Sequence, residues 1–189
     1  MKAAILALGT VGALAQTPPI APPLPPAQPG GLHCDPKDKL PLLLGPATAQ
    51  EILAHRAIFR DTLAKAPLSG GLKARWKAVK RPFTLVAVFG SWCGDSHYQL
   101  PDLLALEAEP NPFIEVHYLG VYRDKQVPAA QWPAGCPAQK VLRVPTFYLF
   151  ATQPGGGQKL VGTVVENPPR AGQRMAEALV ELVEAASTQ

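Results

Sequence analysis

The sequence predicts an α/β fold, a central mixed sheet flanked by helices, with an N-terminal helical extension. Three observations predict it. Phe83 to Phe89 is an apolar run rich in β-branched and aromatic residues, the pattern of a fully buried strand, and a helical pattern follows it directly. Thr146 to Phe150 and Leu160 to Val165 are two short strand patterns joined through Gly155-Gly156-Gly157, which reads as an antiparallel hairpin. A helix with a clear apolar stripe, Ala171 to Ala186, closes the chain, so that the order reads β–α–β–α–β–β–α.

Taken in order, Lys2 precedes an apolar run from Ala3 to Leu14, and Ala13-Leu14-Ala15 fits a small-x-small cleavage site. Residues 1–15 therefore read as a secretory signal peptide, too short for a membrane span. Removal would leave an exported protein, periplasmic or extracellular, with no stable membrane insertion. Residues 16–33 form a proline-rich tether in which seven prolines fall between Pro18 and Pro29, a composition that favours extended chain over packed helix. Residues 34–81 form the helical extension. Its first part, to Pro46, reads as loop. Thr48 with Glu51 makes a capping box for a helix running to about Lys65, with Ile52, Leu53, Ile58, Phe59 and Leu63 as its stripe. A basic helix or turn spans Leu72 to Lys80, anchored by Trp76. The main domain, residues 82–189, starts with the buried strand. The helix beyond it carries Leu100, Leu103, Leu104 and Leu106 as apolar positions. Phe113 to Tyr122 alternates imperfectly as the next strand, and Ala138 to Leu142 reads as a short helical turn.

The formal charge of +4 is mild, and Lys73, Arg75, Lys77, Lys80 and Arg81 read as a solvated helix face, so the composition does not point to nucleic acid. Three cysteines and four histidines lie dispersed, without metal-ligand spacing, and no cofactor is called for.

Chemistry concentrates at Trp92-Cys93-Gly94-Asp95-Ser96, where the buried strand turns into the helix. A cysteine at a helix N-terminus meets unpaired amides and the positive end of the helix dipole, which stabilise an anion. His97 would add positive charge when protonated, and Asp95 opposes it.

At these residues the chain resembles the thioredoxin superfamily. The five-residue run is similar to that family's Trp-Cys-Gly-x-Cys with serine in the second cysteine's place, as in a bacterial thioredoxin-like protein with a CxxS, monothiol motif. Pro101 matches the proline of the active-site helix, Val144-Pro145-Thr146 the family's cis-proline loop, and Val161-Gly162 a later strand. The resemblance covers about residues 82–182. It implies a thioredoxin fold, redox activity by thiol–disulfide exchange at Cys93, tuning by Ser96 and Arg143, and a groove shaped by Trp92, Val144 and Pro145. Partners would be protein or small-molecule thiols and disulfides. The family's buried acid, six residues before the first cysteine, is here Ala87. Without that acid and a resolving cysteine, ordinary dithiol turnover is disfavoured. A redox-inactive thioredoxin-fold binding or chaperone-like module is the alternative. A peroxidase is weaker still, because the Thr-x-x-Cys pattern is missing.

Cysteine arithmetic suggests a Cys34–Cys136 disulfide in an exported protein, worth roughly 2–4 kcal/mol, with Cys93 left as the reactive thiol. Two alternatives stand beside it. Both thiols are free, or Cys136 resolves Cys93.

Overall fold

The computed structural model describes residues 33–188; the signal-peptide reading and almost all of the tether lie outside them. Five strands and five helices are described. They are β1 (Gly45–Ala47), α1 (Ala49–His55), α2 (Ala57–Lys65), α3 (Gly70–Ala78), β2 (Phe83–Phe89), α4 (Gly94–Glu107), β3 (Ile114–Gly120), β4 (Thr146–Thr152), β5 (Gln158–Val165) and α5 (Met175–Ser187). The sheet order is β1-β3-β2-β4-β5. β2 runs parallel to β3 and antiparallel to β4, β5 pairs antiparallel with β4, and β1 pairs antiparallel with β3. The sheet is therefore mixed, and the fold is α/β.

β2 lies at the sheet's centre, and every one of its residues is buried. Phe83, Leu85, Ala87 and Phe89 face the main core, shared with Leu100, Leu103, Leu106, Phe147, Leu149, Leu179 and Val183. Val86 and Val88 face the other side, with Tyr148, Phe150 and Trp132. Trp132 covers that face, its ring edge-on to Tyr148 at 5.4 Å and to Phe150 at 6.3 Å. This alternation is the two-residue period of a strand buried on both faces.

Several details differ from the sequence reading. The helix expected from Thr48 to Lys65 breaks at Arg56, whose extended backbone (φ −137°, ψ 133°) both ends α1 and starts α2. The capping box at Thr48 is present, with the Glu51 amide donating to Thr48 Oγ1 at 3.2 Å and the Thr48 amide to Glu51 Oε2 at 2.8 Å. Gly45-Pro46-Ala47, read as loop, is a short edge strand, a position that tolerates proline. The helical turn expected at 138–142 is irregular chain, and a 3₁₀ turn forms earlier, at Ala129–Gln131. The extension is no separate layer, because Ile52, Phe59, Leu72 and Trp76 are buried in the main core. Asp102 ties α4 to α5 by accepting from the Ala176 amide at 3.0 Å and from Arg174, whose guanidinium also reaches the carbonyls of Ala66 and Pro67.

Residues 33–44 form a strap across the C-terminal end of β2 and β3. Leu42 N donates to His33 O at 2.7 Å, and Asp35 N to Leu40 O at 2.8 Å, closing a small hairpin. The strap passes so near β3 that a Cβ on Gly120 would fall 2.2 Å from Leu43 O, which leaves glycine as the residue that fits.

Candidate functional site

Cys93 caps α4 from an extended conformation (φ −94°, ψ 125°), with the His97 amide donating to its carbonyl at 3.1 Å. The strand-to-helix turn places it there: Gly90 ends β2, and the Cys93 amide donates back to Gly90 O at 2.9 Å. The Cys93 Sγ–H donates to Val144 O at 3.3 Å. Val144 precedes Pro145 through a cis peptide bond, as the resemblance implied. Cys93, Val144 and Pro145 are thus brought together on the β4 side of β2.

Trp92 turns the other way, toward β3. Its Nε1 donates to Val121 O at 2.9 Å, and the Arg123 guanidinium lies over its ring at 4.5 Å. Arg123 in turn holds Asp35, a fully buried carboxylate, through Nε at 3.1 Å and Nη2 at 2.9 Å. A second oxygen of Asp35 accepts from the Lys37 amide at 2.7 Å, and Leu43 N donates to the buried Ser91 Oγ at 3.0 Å. The strap is therefore fastened to the residues on either side of Trp92. Sequence reasoning missed Asp35, Arg123 and Ser91. Arg123 and Asp35 are 88 residues apart, and no local pattern joins them.

Two expected tuning residues are placed differently. Arg143 does not face Cys93. Its guanidinium reaches outward to Glu166 at 2.7 Å, and that carboxylate holds it above the ordinary arginine range. Ser96 is buried, and its Oγ accepts from the Gly90 amide at 3.2 Å. It is the acceptor that satisfies the turn behind the cysteine. The His97 ring lies with its Nε2 2.8 Å from Ser91 O; a carbonyl can only accept, so Nε2 carries the hydrogen. Its other face is edge-on to Phe59 at 5.2 Å.

The disulfide expected between Cys34 and Cys136 is not formed; all three cysteines are free. Cys136 meets Thr84, near the start of β2, and burial, with Glu115 adding to it, pushes its thiol up to about 11. Cys34 adjoins Asp35, whose partner Arg123 stacks on Trp92 beyond the end of β2. Thr84 and Phe89 alone are separated by roughly 17 Å of strand, at about 3.3 Å per residue. A disulfide needs Cα atoms within about 7 Å. The same separation sets Cys136 apart from Cys93.

No protein-family model and no curated protein matches the chain. Two solved structures do. A protein of unknown function from Pseudomonas aeruginosa is 19% identical, with a TM-score of 0.47 over 75% of this chain and 86% of that one. An HIV epitope-scaffold is 18% identical, with a TM-score of 0.46 over 76% of this chain and 87% of that one.

Proposed function

We propose that this protein has a thioredoxin fold and exchanges thiols with disulfides through the single cysteine Cys93. The observation that carries the reading is the placement of Cys93 at the N-terminus of α4, with Sγ 3.3 Å from the carbonyl of the residue before cis Pro145. The order of β2, α4, β3, β4, β5 and α5, with β2 central, supports the same reading.

The chemistry follows from one sulfur. Cys93 loses the proton that points at Val144 O. The thiolate attacks one sulfur of a substrate disulfide, a Cys93–S–S–R bond forms, and the other sulfur leaves as a thiolate that solvent protonates. Ser96 cannot attack that bond, so an external thiol must. Its thiolate displaces Cys93, carries away R as a new disulfide, and returns the enzyme reduced. We place this chemistry in an exported setting, on the strength of Lys2 and the apolar run that follows it.

One observation favours a binding role for the same surface. Tyr98, Leu142 and Val165 are large apolar residues exposed at 67%, 68% and 45%, and Leu142 and Val165 line one cavity with Thr146. Tyr98 lies on the first turns of α4, Leu142 two residues before Val144, and Val165 opposite Thr146 on β5. Such a patch suits a client polypeptide even without exchange.

The test is a mass measurement. The full chain is incubated with oxidised glutathione, a small disulfide probe, and digested. Exchange predicts one glutathionyl group on Cys93, removed by added thiol and lost in Cys93→Ala. Equal modification of Cys34 and Cys93 at the same slow rate as a free peptide thiol would refute it. Retained client capture by Cys93→Ala would then support the binding role.

A further inference from the structure

β5 ends the sheet order, so one side of its backbone pairs with β4 and the other meets no strand among the described residues. The Glu166 amide donates to Pro145 O at 2.7 Å, which fixes the phase of the β4–β5 ladder. Hydrogen-bonded and non-hydrogen-bonded pairs alternate in an antiparallel ladder. Pro145 and Glu166 are a bonded pair, so Phe147–Val164 and Leu149–Gly162 are bonded too, while Thr146–Val165 and Tyr148–Thr163 are not. Thr163 and Val165 therefore turn their amides and carbonyls away from β4. Val165 O is taken by the Asn167 amide at 2.6 Å, which leaves Thr163 N–H, Thr163 C=O and Val165 N–H facing outward.

The same two residues border a cavity of about 260 Å³, which Tyr148, Leu142, Lys140 and Arg143 also line. Leu142 and Val165 bring exposed apolar surface to it. Edge strands are ordinarily guarded by charge, bulges or proline. β5 has such guards at its other end, in exposed Lys159 and in a bulge at Val161, opposite the Leu149–Phe150 step. Thr163-Val164-Val165 has none, until Glu166 (φ 55°) and Pro168-Pro169 stop the strand. An open backbone edge and an apolar cavity thus lie along one short stretch.

We propose that this edge receives an extended polypeptide as an added strand, antiparallel to β5, with apolar β-branched residues two apart and acidic flanks. The residue opposite Thr163 exchanges two main-chain hydrogen bonds with it, and the residue two before accepts from Val165 N–H. Both of their side chains then fall on the cavity side, against Val165 and Leu142. Charge sets the flanks. Glu166 neutralises Arg143 at 2.7 Å, and exposed Lys140 leaves the rim positive. A second copy of this chain would bring the same cation to the seam from both sides, so an acidic segment of another chain fits better. The pairing rests on the binding role of the exposed patch, and not on exchange at Cys93, which lies beyond the end of β2, two strands away.

The probe is the peptide acetyl-Asp-Thr-Val-Thr-Val-Thr-Asp-amide, titrated into the full chain and followed by amide NMR shifts and hydrogen exchange. Saturable shifts and slowed exchange are expected at the Thr163 and Val165 amides at millimolar peptide. The same peptide N-methylated at both valines should bind more weakly by about tenfold or more, because it cannot donate to the edge. Lysine in place of both aspartates should cost about threefold or more. Leu142→Asp, a change at an exposed position, should weaken the acidic peptide by about fivefold or more. Cys93→Ala should bind it as the native chain does, so a failure here leaves exchange at Cys93 standing. Equal binding of the N-methylated peptide overturns the added strand while leaving the patch as a client surface. Shifts that do not saturate, or that centre away from Thr163 and Val165, overturn both. Equal binding of the lysine peptide overturns the acidic partner, and so do shifts of the same two amides on concentrating the chain alone, which would assign the edge to a second copy.

Discussion

Gly90 tests how tightly the turn before Cys93 is built. A Cβ added there would lie 2.7 Å from Trp92 Cε2, 2.9 Å from Nε1 and 3.0 Å from Cζ2. Ordinary carbon contacts begin near 3.5 Å, so the indole must retreat by about 0.8 Å. It has little room to do so, because its Nε1 is held by Val121 O at 2.9 Å and Arg123 covers its face at 4.5 Å. The same shift stretches that hydrogen bond out of range, a loss of about 0.5–1.5 kcal/mol. Disturbing the cation–π contact removes about 0.5–1 kcal/mol more, and crowding a packed turn costs about 1–3 kcal/mol. Gly90→Ala is therefore expected to destabilise the fold by about 2–5 kcal/mol, read from the urea midpoint at unchanged slope. The indole N–H resonance of Trp92 should shift with it. A loss under about 0.5 kcal/mol with that resonance unmoved would refute the reasoning, since it would mean that the indole is not wedged between Gly90 and Arg123.

Other consequences are as direct. Asp35→Ala leaves Arg123 without its carboxylate and frees the strap; a loss of about 2–4 kcal/mol is expected, and faster amide exchange at Leu42 and Leu43 should accompany it. Cys136, pushed up to about 11, has only about 1 thiolate in 300 at pH 8.5, so peptide mapping should find it unalkylated by iodoacetamide until denaturant is added. The sign of its pH effect is also fixed. Above pH 9 the unfolded chain releases the Cys136 proton while the folded chain keeps it, so stability should fall as pH rises from about 9 to about 11, and less so in Cys136→Val. Arg143→Ala should change the rate of glutathionylation at Cys93 by less than about threefold, because its guanidinium is committed to Glu166; a larger effect would restore it to the site.

The legible parts of this fold are those whose signal is local. β2 shows as seven consecutive apolar or β-branched residues, and α5 as an apolar stripe of helical period. Thr48 and Glu51 announce α1 because a capping box needs residues three apart and nothing else. The break at Arg56 was not legible, since no glycine or proline marks it and the stripe runs on through Ile58 and Phe59. β1 was hidden because its Gly-Pro-Ala carries no strand propensity; its order comes from pairing with Tyr118, Leu119 and Gly120. The site divides in the same way. Cys93, Val144 and Pro145 lie in short motifs and could be named from sequence. The Asp35–Arg123 pair could not, because each residue is unremarkable in its own stretch and only the strap's path brings them together.

That division bears on what Trp92 and Ser96 do. A tryptophan before the cysteine and a serine three residues after it read naturally as parts of a substrate surface and of the chemistry. Their partners are Val121 O and Arg123 for the indole, and the Gly90 amide for the serine. Each therefore holds the turn from one side, Trp92 against β3 and the strap, Ser96 against the end of β2. Cys93 is left as the residue of the turn whose side chain points to β4, with Val144 O beside it. On the proposed reading, exchange at this site falls to one sulfur and to a thiol from outside, while the residues around the cysteine fix its position.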